Sequence, residues 1–381
     1  MQLTETLKLK LSKTEYNILT SMMSDYISAV NSLVSLAISG TSIQKYSSKD
    51  VDALLPSAVR AQVAQDARSI VKKHYKSCHK TVLQNRKELK KPLTKKHPKT
   101  VLHTAPNLPI VKKPCCYWNN QNFKLYENGI LSFPVWLNGK STTLMIPTTL
   151  TERQKSILFN TKLGTMRIVF KNKKLVAQVV YEVKELESLD GHVMGVDLGI
   201  KCPAVSYVDT GKVKFYGNGR KNKYMKRFYR HQRKKLQKVK KIDVVRRIND
   251  KEQRIMKDID HTISCNIIKE AVKQGVTTIK LEQLANIRST ARKSRKNNHS
   301  LHTWSFYRLA QFIEYKAKLA GITVQYVNPA YTSQTCPKCG AIHHADDRNY
   351  VCNCGFHKHR DIVGAMNISQ STVIVGNRLS A

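Results

Sequence analysis

Between Leu3 and Leu11 the segment LTETLKLKL alternates Leu7, Leu9 and Leu11 with Lys8 and Lys10, the period of a half-buried strand. Ser12 to Glu15 has the form of a capping box, and Tyr16, Leu19, Met23, Tyr26, Ile27, Val30 and Val34 follow at helical spacing. A strand therefore leads directly into a helix. A second helical pattern runs from about Ser57 through Ala67 and Val71 towards Lys91. It ends in the basic, proline-punctuated KELKKPLTKKHPK, which reads as a loop.

From Tyr117 the pattern changes to short β-type runs. NFKLYENGILSFPVW pivots on Asn128-Gly129 and MRIVFKNKKLVAQVVYEVK turns at Asn172, which predicts a small antiparallel β region. The N-terminal strand can join it, with the helices of residues 14–100 inserted between. The acidic YEVKELESLDG, residues 181–191, interrupts the basic background and reads as a domain boundary. Beyond it VMGVDLGI, CPAVSYV and KVKFYG are three short strands, the last turn being Asp209-Thr210-Gly211. A helix with Ile255, Ile259, Ile263, Ile267 and Val272 on one face ends at Gly275, and VTTIKLEQL is then a strand. ANIRSTARKSRKNNHSLH is a polar basic loop, FYRLAQFIEYKAKLAG a helix closed by Gly321, and ITVQYVNP the next strand. Three antiparallel strands, then helix, strand, helix, strand and helix, is the order of a ribonuclease H-like α/β domain. No internal repeat is visible.

Charge changes the picture. The 381 residues carry 66 Lys and Arg against 26 Asp and Glu, a formal charge of +40 and a pI near 10.0. An excess of that size implies a large polyanionic partner, with nucleic acid ahead of an anionic membrane. No apolar run is long enough to span a bilayer and no apolar h-region opens the chain, so the expectation is a cytoplasmic, nucleic-acid-associated protein. Twelve of the cations fall between Arg220 and Lys241, interleaved with Tyr224, Phe228, Tyr229 and His231. A solvated helix face is the bland reading. With charge all round and aromatics among it, phosphate contact with stacking is favoured, through Arg220, Lys223, Lys226, Arg227, Arg230, Arg233, Lys234 and Lys235.

Nine cysteines over this length are too sparse and too odd in number for a disulfide scaffold. Cys78, Cys115, Cys116, Cys202 and Cys265 read as ordinary reduced thiols. Cys336-x-x-Cys339, twelve residues, then Cys352-x-Cys354 gives four thiolates at spacings suited to tetrahedral Zn²⁺ in a closed, structural site. His343, His344, His357 and His359 lie near enough to replace a weak ligand.

Three carboxylates sit where a charge needs a reason. Asp197 lies inside a core strand between Gly195 and Gly199, Glu282 ends the strand TTIKLE, and Asp361 opens RDIVGAMNI, a final helix. Singly, Asp197 reads as a hydrogen-bonding residue, Glu282 as a solvated strand end and Asp361 as an N-cap. Together, in this strand order, they read as ligands for two Mg²⁺ ions about 3.5 to 4 Å apart, the arrangement that hydrolyses a phosphodiester.

GVDLGI, TTIKLEQL, NPAYTSQTCPKCG and HRDIVGAMNI resemble the successive motifs of TnpB, the transposon-encoded RNA-guided nucleases similar to compact type V CRISPR effectors. The close match covers residues 190–370; residues 1–185 match in layout and in features such as LPSAVRAQVAQDA. The resemblance implies a RuvC nuclease over 190–331 and 357–381, with catalytic Asp197, Glu282 and Asp361 and a zinc-binding insertion at 332–356. It also implies a β-barrel-like wedge domain over 1–13 and 101–189, with a helical recognition domain at 14–100. Its partners would be a guide RNA from the transposon end and target double-stranded DNA, cut beside a short motif. Base pairing would read the sequence while the protein follows backbone shape. Two positions depart from the pattern: the second cysteine pair is CxC where CxxC is commoner, and LEQL has a neutral residue after the glutamate. A nuclease-silent RNA-guided repressor and a DNA-strand-transferring transposase are the alternatives. Retention of all three acids weighs against the first, and the zinc insertion against the second.

Overall fold

Strand β1 (Gln2–Leu9) forms because alternation buries Leu7 completely while its charged neighbours stay outside. Ser12 then caps helix α1 (Lys13–Ile38) with both halves of the capping box made, Ser12 Oγ accepting from the Glu15 amide and Glu15 Oε2 from the Ser12 amide. The computed structural model describes residues 1–90, 100, 102–171, 174–184, 191–284, 303–343 and 347–376, apart from the side chains of residues 249 and 250. The chain divides into two units, Met1–Lys184 and Glu185–Ala381.

In the first unit α1 buries Leu19, Met22, Met23, Tyr26, Val30 and Val34 against helix α2 (Ser57–Leu89). Tyr16, expected on that stripe, is exposed and meets Phe170 edge-on. Strands β2 (Cys115–Trp118), β3 (Lys124–Leu125), β4 (Ile130–Leu137) and β5 (Lys140–Thr149) precede a short helix α3 (Glu152–Phe159), then β6 (Leu163–Lys171) and β7 (Lys174–Glu182). They form one seven-stranded sheet in the order β2-β6-β7-β1-β5-β4-β3. The N-terminal strand does join the β region, antiparallel to β7 and β5. The β6–β7 hairpin pairs Lys171 with Lys174, and its turn at Asn172 lies outside the described residues. Only the first half of α2 is packed, through Val59, Val63, Ala67 and Val71; Tyr75, Val82, Leu83 and Leu89 are exposed beyond it.

In the second unit β8 (His192–Asp197), β9 (Ala204–Val208) and β10 (Val213–Tyr216) run antiparallel, followed by α4 (Gly219–Lys238) and α5 (Ile242–Lys273). Then come β11 (Val276–Glu282), α6 (Phe306–Leu319), β12 (Thr323–Val327), the small hairpin β13 (Asn349–Val351) and β14 (His357–His359), α7 (Arg360–Gln370) and β15 (Ile374–Gly376). The sheet order is β10-β9-β8-β11-β12-β15, with β8, β11 and β12 parallel. Met194, Val196, Ile279 and Leu281 share a core with Ile263, Ile267 and Ala271 of α5 and Leu309 and Ile313 of α6. Alternation therefore turns Gly195, Asp197, Lys280 and Glu282 to the other face, the one α7 packs on. Val272, expected with the buried isoleucines, is exposed, and Ile268 and Ala271 take its place. Among the described residues no helix is long and apolar enough to cross a membrane.

Candidate active site and nucleic-acid interface

Register delivers two of the acids. Leu281 of β11 lies beside Val196 of β8 in parallel pairing, so Glu282 and Asp197 emerge next to each other at the carboxyl ends of adjacent strands. The third arrives with α7, whose N-cap is His359, the Asp361 amide donating to Nδ1 of His359 at 3.3 Å. Asp361 is thus a first-turn residue and not the cap. Two glycines let the helix come this close. A Cβ at Gly195 would fall 2.1 Å from the Ala365 carbonyl oxygen, and one at Gly364 would sit 3.2 Å from Oδ2 of Asp197.

Electrostatics record the convergence. Burial, then the charges of Glu282 and Asp361, push the Asp197 carboxyl well above its ordinary range, with Arg348 and Arg360 opposing. Burial pushes Glu282 up to about 6, against the hydrogen bond from Thr332. The sequence reading missed Thr332 and Arg348. Thr332 Oγ1 donates to Glu282 Oε1, and Arg348 Nη1 pairs with Asp361 Oδ1, so both acids are held by residues of the segment between β12 and α7. A tight turn around an aspartate gives no sign in a sequence of which arginine will face it.

That segment is built on the cysteines. Sγ of Cys336 is 3.6 Å from Cys354 and Sγ of Cys339 is 3.5 Å from Cys352. All four sulfurs lie within 4.8 Å of one another, the one set of three or more His, Cys, Asp or Glu among the described residues with ligand atoms that close. Four thiolates about 2.3 Å from a tetrahedral ion are about 3.8 Å apart, so this spacing could hold a metal. The three carboxylates converge without reaching it. Each cysteine pair forms a knuckle closed by a left-handed glycine: the Gly340 amide donates to the Cys336 carbonyl at 2.9 Å and the Gly355 amide to the Cys352 carbonyl at 3.0 Å. The shorter CxC spacing therefore removes one residue from the knuckle and keeps its turn. Burial works to raise the Cys336 thiol, yet the amides of Cys339 and Lys338 bring it down to about 7. His343 and His357 stand outside the sulfur set, and His344 lies outside the described residues. The other five cysteines are also free thiols.

The knot is fastened to the site. Val363 of α7 packs into a small core with Cys336, Cys352 and Tyr350. Asn367 Nδ2 donates to the carbonyls of Thr332 and Thr335 at 2.7 Å each, and Tyr350 Oη to the Gln334 carbonyl at 3.0 Å.

The basic helix α4 is less uniform than its sequence. Tyr229 is buried and unavailable for stacking, whereas Tyr224 and Phe228 are exposed and stacked on each other at 6.4 Å. Arg233 pairs with Glu252 of α5, and Lys226 Nζ donates to the Thr303 carbonyl at 2.5 Å. Arg220, Arg227, Arg230, Lys234 and Lys235 remain exposed, with Lys223 half-buried. The outer half of α2 adds Lys72, Lys73, Lys76, Lys80, Arg86 and Lys87, all exposed, a surface the sequence reading left unassigned.

With this geometry in view, the relatives are informative. Residues 306–368, which run from α6 through the cysteine knot into α7, match the family model of the Cas12f1-like TNB domain. A TnpB-like protein of Methanocaldococcus jannaschii is 33% identical over 202 residues, covering 49% of this chain and 71% of that protein. The chain belongs to the TnpB-like family. A CRISPR-associated endodeoxyribonuclease Cas12f1 of Sulfoacidibacillus thermotolerans is 35% identical to this TnpB-like chain over 137 residues, which span 34% of the chain and 30% of the longer Cas12f1. Among solved structures, the Cas12f1 of a Cas12f1-sgRNA-target DNA complex superposes with a TM-score of 0.64 at 16% identity. The overlap covers 93% of this chain and 82% of that one, so the two share a fold.

Proposed function

We propose that this TnpB-like protein is an RNA-guided DNA endonuclease that hydrolyses target DNA with two Mg²⁺ ions. The observation that carries the proposal is the convergence of Asp197, Glu282 and Asp361 at the carboxyl ends of β8 and β11 under the first turn of α7. The strand order supports a ribonuclease H-like RuvC domain over 190–331 and 357–381. The knot supports a zinc-binding insertion at 332–356, and the first unit supports a wedge domain with an inserted recognition domain. A guide RNA and target DNA are the partners that the formal charge of +40 and the names of the relatives favour, and the resemblance of the motifs adds a transposon-end origin for the guide and a short motif beside a double-stranded target.

Hard carboxylate oxygens fit Mg²⁺, which would activate water and neutralise charge on the leaving oxygen. Asp197, raised by burial and then by the charges of Glu282 and Asp361, is the group that most needs that counter-charge and would be one of the residues to hold the ions. Thr332 orients Glu282, and Arg348 pairs with Asp361 and places positive charge beside the acids. The exposed arginines of α4 would hold phosphates without reading bases. Four thiolates at tetrahedral spacing suit structural Zn²⁺.

The test is to purify the protein with its RNA, sequence that RNA, and offer DNA complementary to its variable end. Cleavage in Mg²⁺ that disappears in Asp197→Ala, with guide and target binding retained, is the expected result. Cleavage that survives Asp197→Ala removes the assigned site.

A further inference from the structure

The second unit holds a pocket of about 490 Å³ with two kinds of wall. Pro203, Met256, Leu309 and Trp304 line it with apolar surface. Lys223, Arg227 and Arg230 approach from α4, at i, i+4 and i+7 and so on one face of the helix. Asp260 also reaches the pocket, but Arg308 Nη2 meets it at 2.6 Å and neutralises it. The net field is cationic. Gly199 and Ile200, in the turn after β8, also line it, together with residues of α5 and α6.

A binding pocket of this size pairs an enclosed apolar floor with a few directed polar groups. Here the wall offers the half-buried indole of Trp304, which also packs against Phe306 at 5.1 Å, together with guanidinium groups that match phosphate oxygens. The geometry points to a subsite for one unpaired nucleotide: its base lies against Trp304 and its phosphate on Lys223, Arg227 and Arg230. A paired base shows only an edge, so the nucleotide must be splayed out of its stack. The inference rests on the nucleic-acid reading above and adds to it a fixed point for one strand in the second unit. Three of the basic residues singled out in the sequence, Lys223, Arg227 and Arg230, thereby act with an aromatic outside their own helix.

Photo-cross-linking tests it. The RNA-loaded protein is bound to target DNA carrying 5-iododeoxyuridine at one position at a time in either strand, or is loaded with guide carrying 5-iodouridine. A separate arm uses a 12-nucleotide oligodeoxythymidine with one such base and needs no guide. Irradiation followed by mass spectrometry of the peptide containing Trp304 locates the nucleotide, and the three labelled strands identify its source. A cross-link at one position or at two adjacent positions is expected, lost in Trp304→Ala and weakened in Arg227→Glu/Arg230→Glu, whose exposed side chains can change without refolding. An abasic residue at that position should weaken binding about tenfold in the wild type and have no further effect in Trp304→Ala. No cross-link to Trp304 in any arm, or an equal abasic loss in Trp304→Ala, overturns the inference. Guided cleavage, measured on the same preparation, separately decides the nuclease reading.

Discussion

The second unit carries two ligand sets of opposite design. The cysteines draw four sulfurs within 4.8 Å of one another, in two knuckles whose turns are already formed. The carboxylates come from Asp197, Glu282 and Asp361, segments far apart in the chain, and stop short of that spacing, with Arg348 and Thr332 occupying two of them. Thiols can approach one another uncharged. Carboxylates repel until a cation or a proton intervenes; at Asp197 burial first, and the charges of Glu282 and Asp361 after it, raise the pKa. One set is therefore assembled by the chain and can serve folding. On the proposed function the other is positioned by the chain and would be completed by the ions it binds, as a reaction site has to be.

The sharpest way to break this contrast is to disable each set alone. Asp197→Asn should lower guided cleavage by at least about 10³-fold, since the electrostatic contribution of the ions depends on their ligands, and leave zinc content unchanged. Cys336→Ser should do the reverse in order: bound zinc falls from about one ion per chain. Cleavage then falls on the order of tenfold to a hundredfold as α7 loses its brace at Val363. Zinc measured by plasma emission and cleavage rates on one preparation separate the cases. Zinc retained in full by Cys336→Ser would remove that ligand.

The two sets were also unequally legible. Cysteine spacing announces a knot because all four ligands fall within nineteen residues and the glycines that close the knuckles are adjacent to them. Each carboxylate had a plain local explanation, and only strand order joined them; the structure then replaced the N-cap reading of Asp361 with His359. Thr332 and Arg348 were invisible because the contacts that define them are made across the fold. Arg233 looked exposed for the same reason, its partner Glu252 lying on α5, and Tyr229 is buried although its helix is basic all round. Val272 failed for a geometric reason: it lies five residues after Ile267, about 140° further round a helix of 3.6 residues per turn, whereas Ala271, four residues on, stays buried. Helix α3 was missed with one buried residue, Leu158, to mark it, although the capping box Thr151 to Gln154 was there to be found.

A smaller effect probes the cost of holding carboxylates together. Burial raises Glu282 from 4.5 to about 6, so the folded protein binds its proton more tightly than the unfolded chain. Its contribution favours folding below pH 4.5 and is lost as pH rises through 6. Glu282→Gln removes the charge and should stabilise the metal-free protein at pH 7.5 by roughly 2 kcal/mol, an advantage that shrinks towards pH 4.5. Denaturant titration of both proteins with chelator measures it. Cleavage is lost meanwhile, and in the wild type it should decline as pH falls through about 6, where protonation competes with cation binding. A Glu282→Gln protein less stable than wild type at pH 7.5 would show that the Thr332 hydrogen bond outweighs the burial of charge.

The smallest expected effect lies at the far end of α7. Lys280 stands on the same face of β11 as Glu282, and its ammonium donates to the carbonyls of Ser369 at 3.0 Å and Ser371 at 2.9 Å. Those groups end the helix whose first turn carries Asp361, so a cation there satisfies orphan acceptors and meets the negative end of the helix dipole. Lys280→Met keeps the length and apolar stem and should cost about 1 kcal/mol of stability. If α7 is a rigid lever between the knot and the acids, the same change should raise the Mg²⁺ concentration needed for half-maximal cleavage while leaving the rate at saturating Mg²⁺ within about threefold, because the ligands are all present and only their placement has loosened. A fall in saturated rate with stability unchanged would instead make Lys280 a nucleic-acid contact. The contrast would then narrow, with the carboxylate set reaching further along the helix than its three acids.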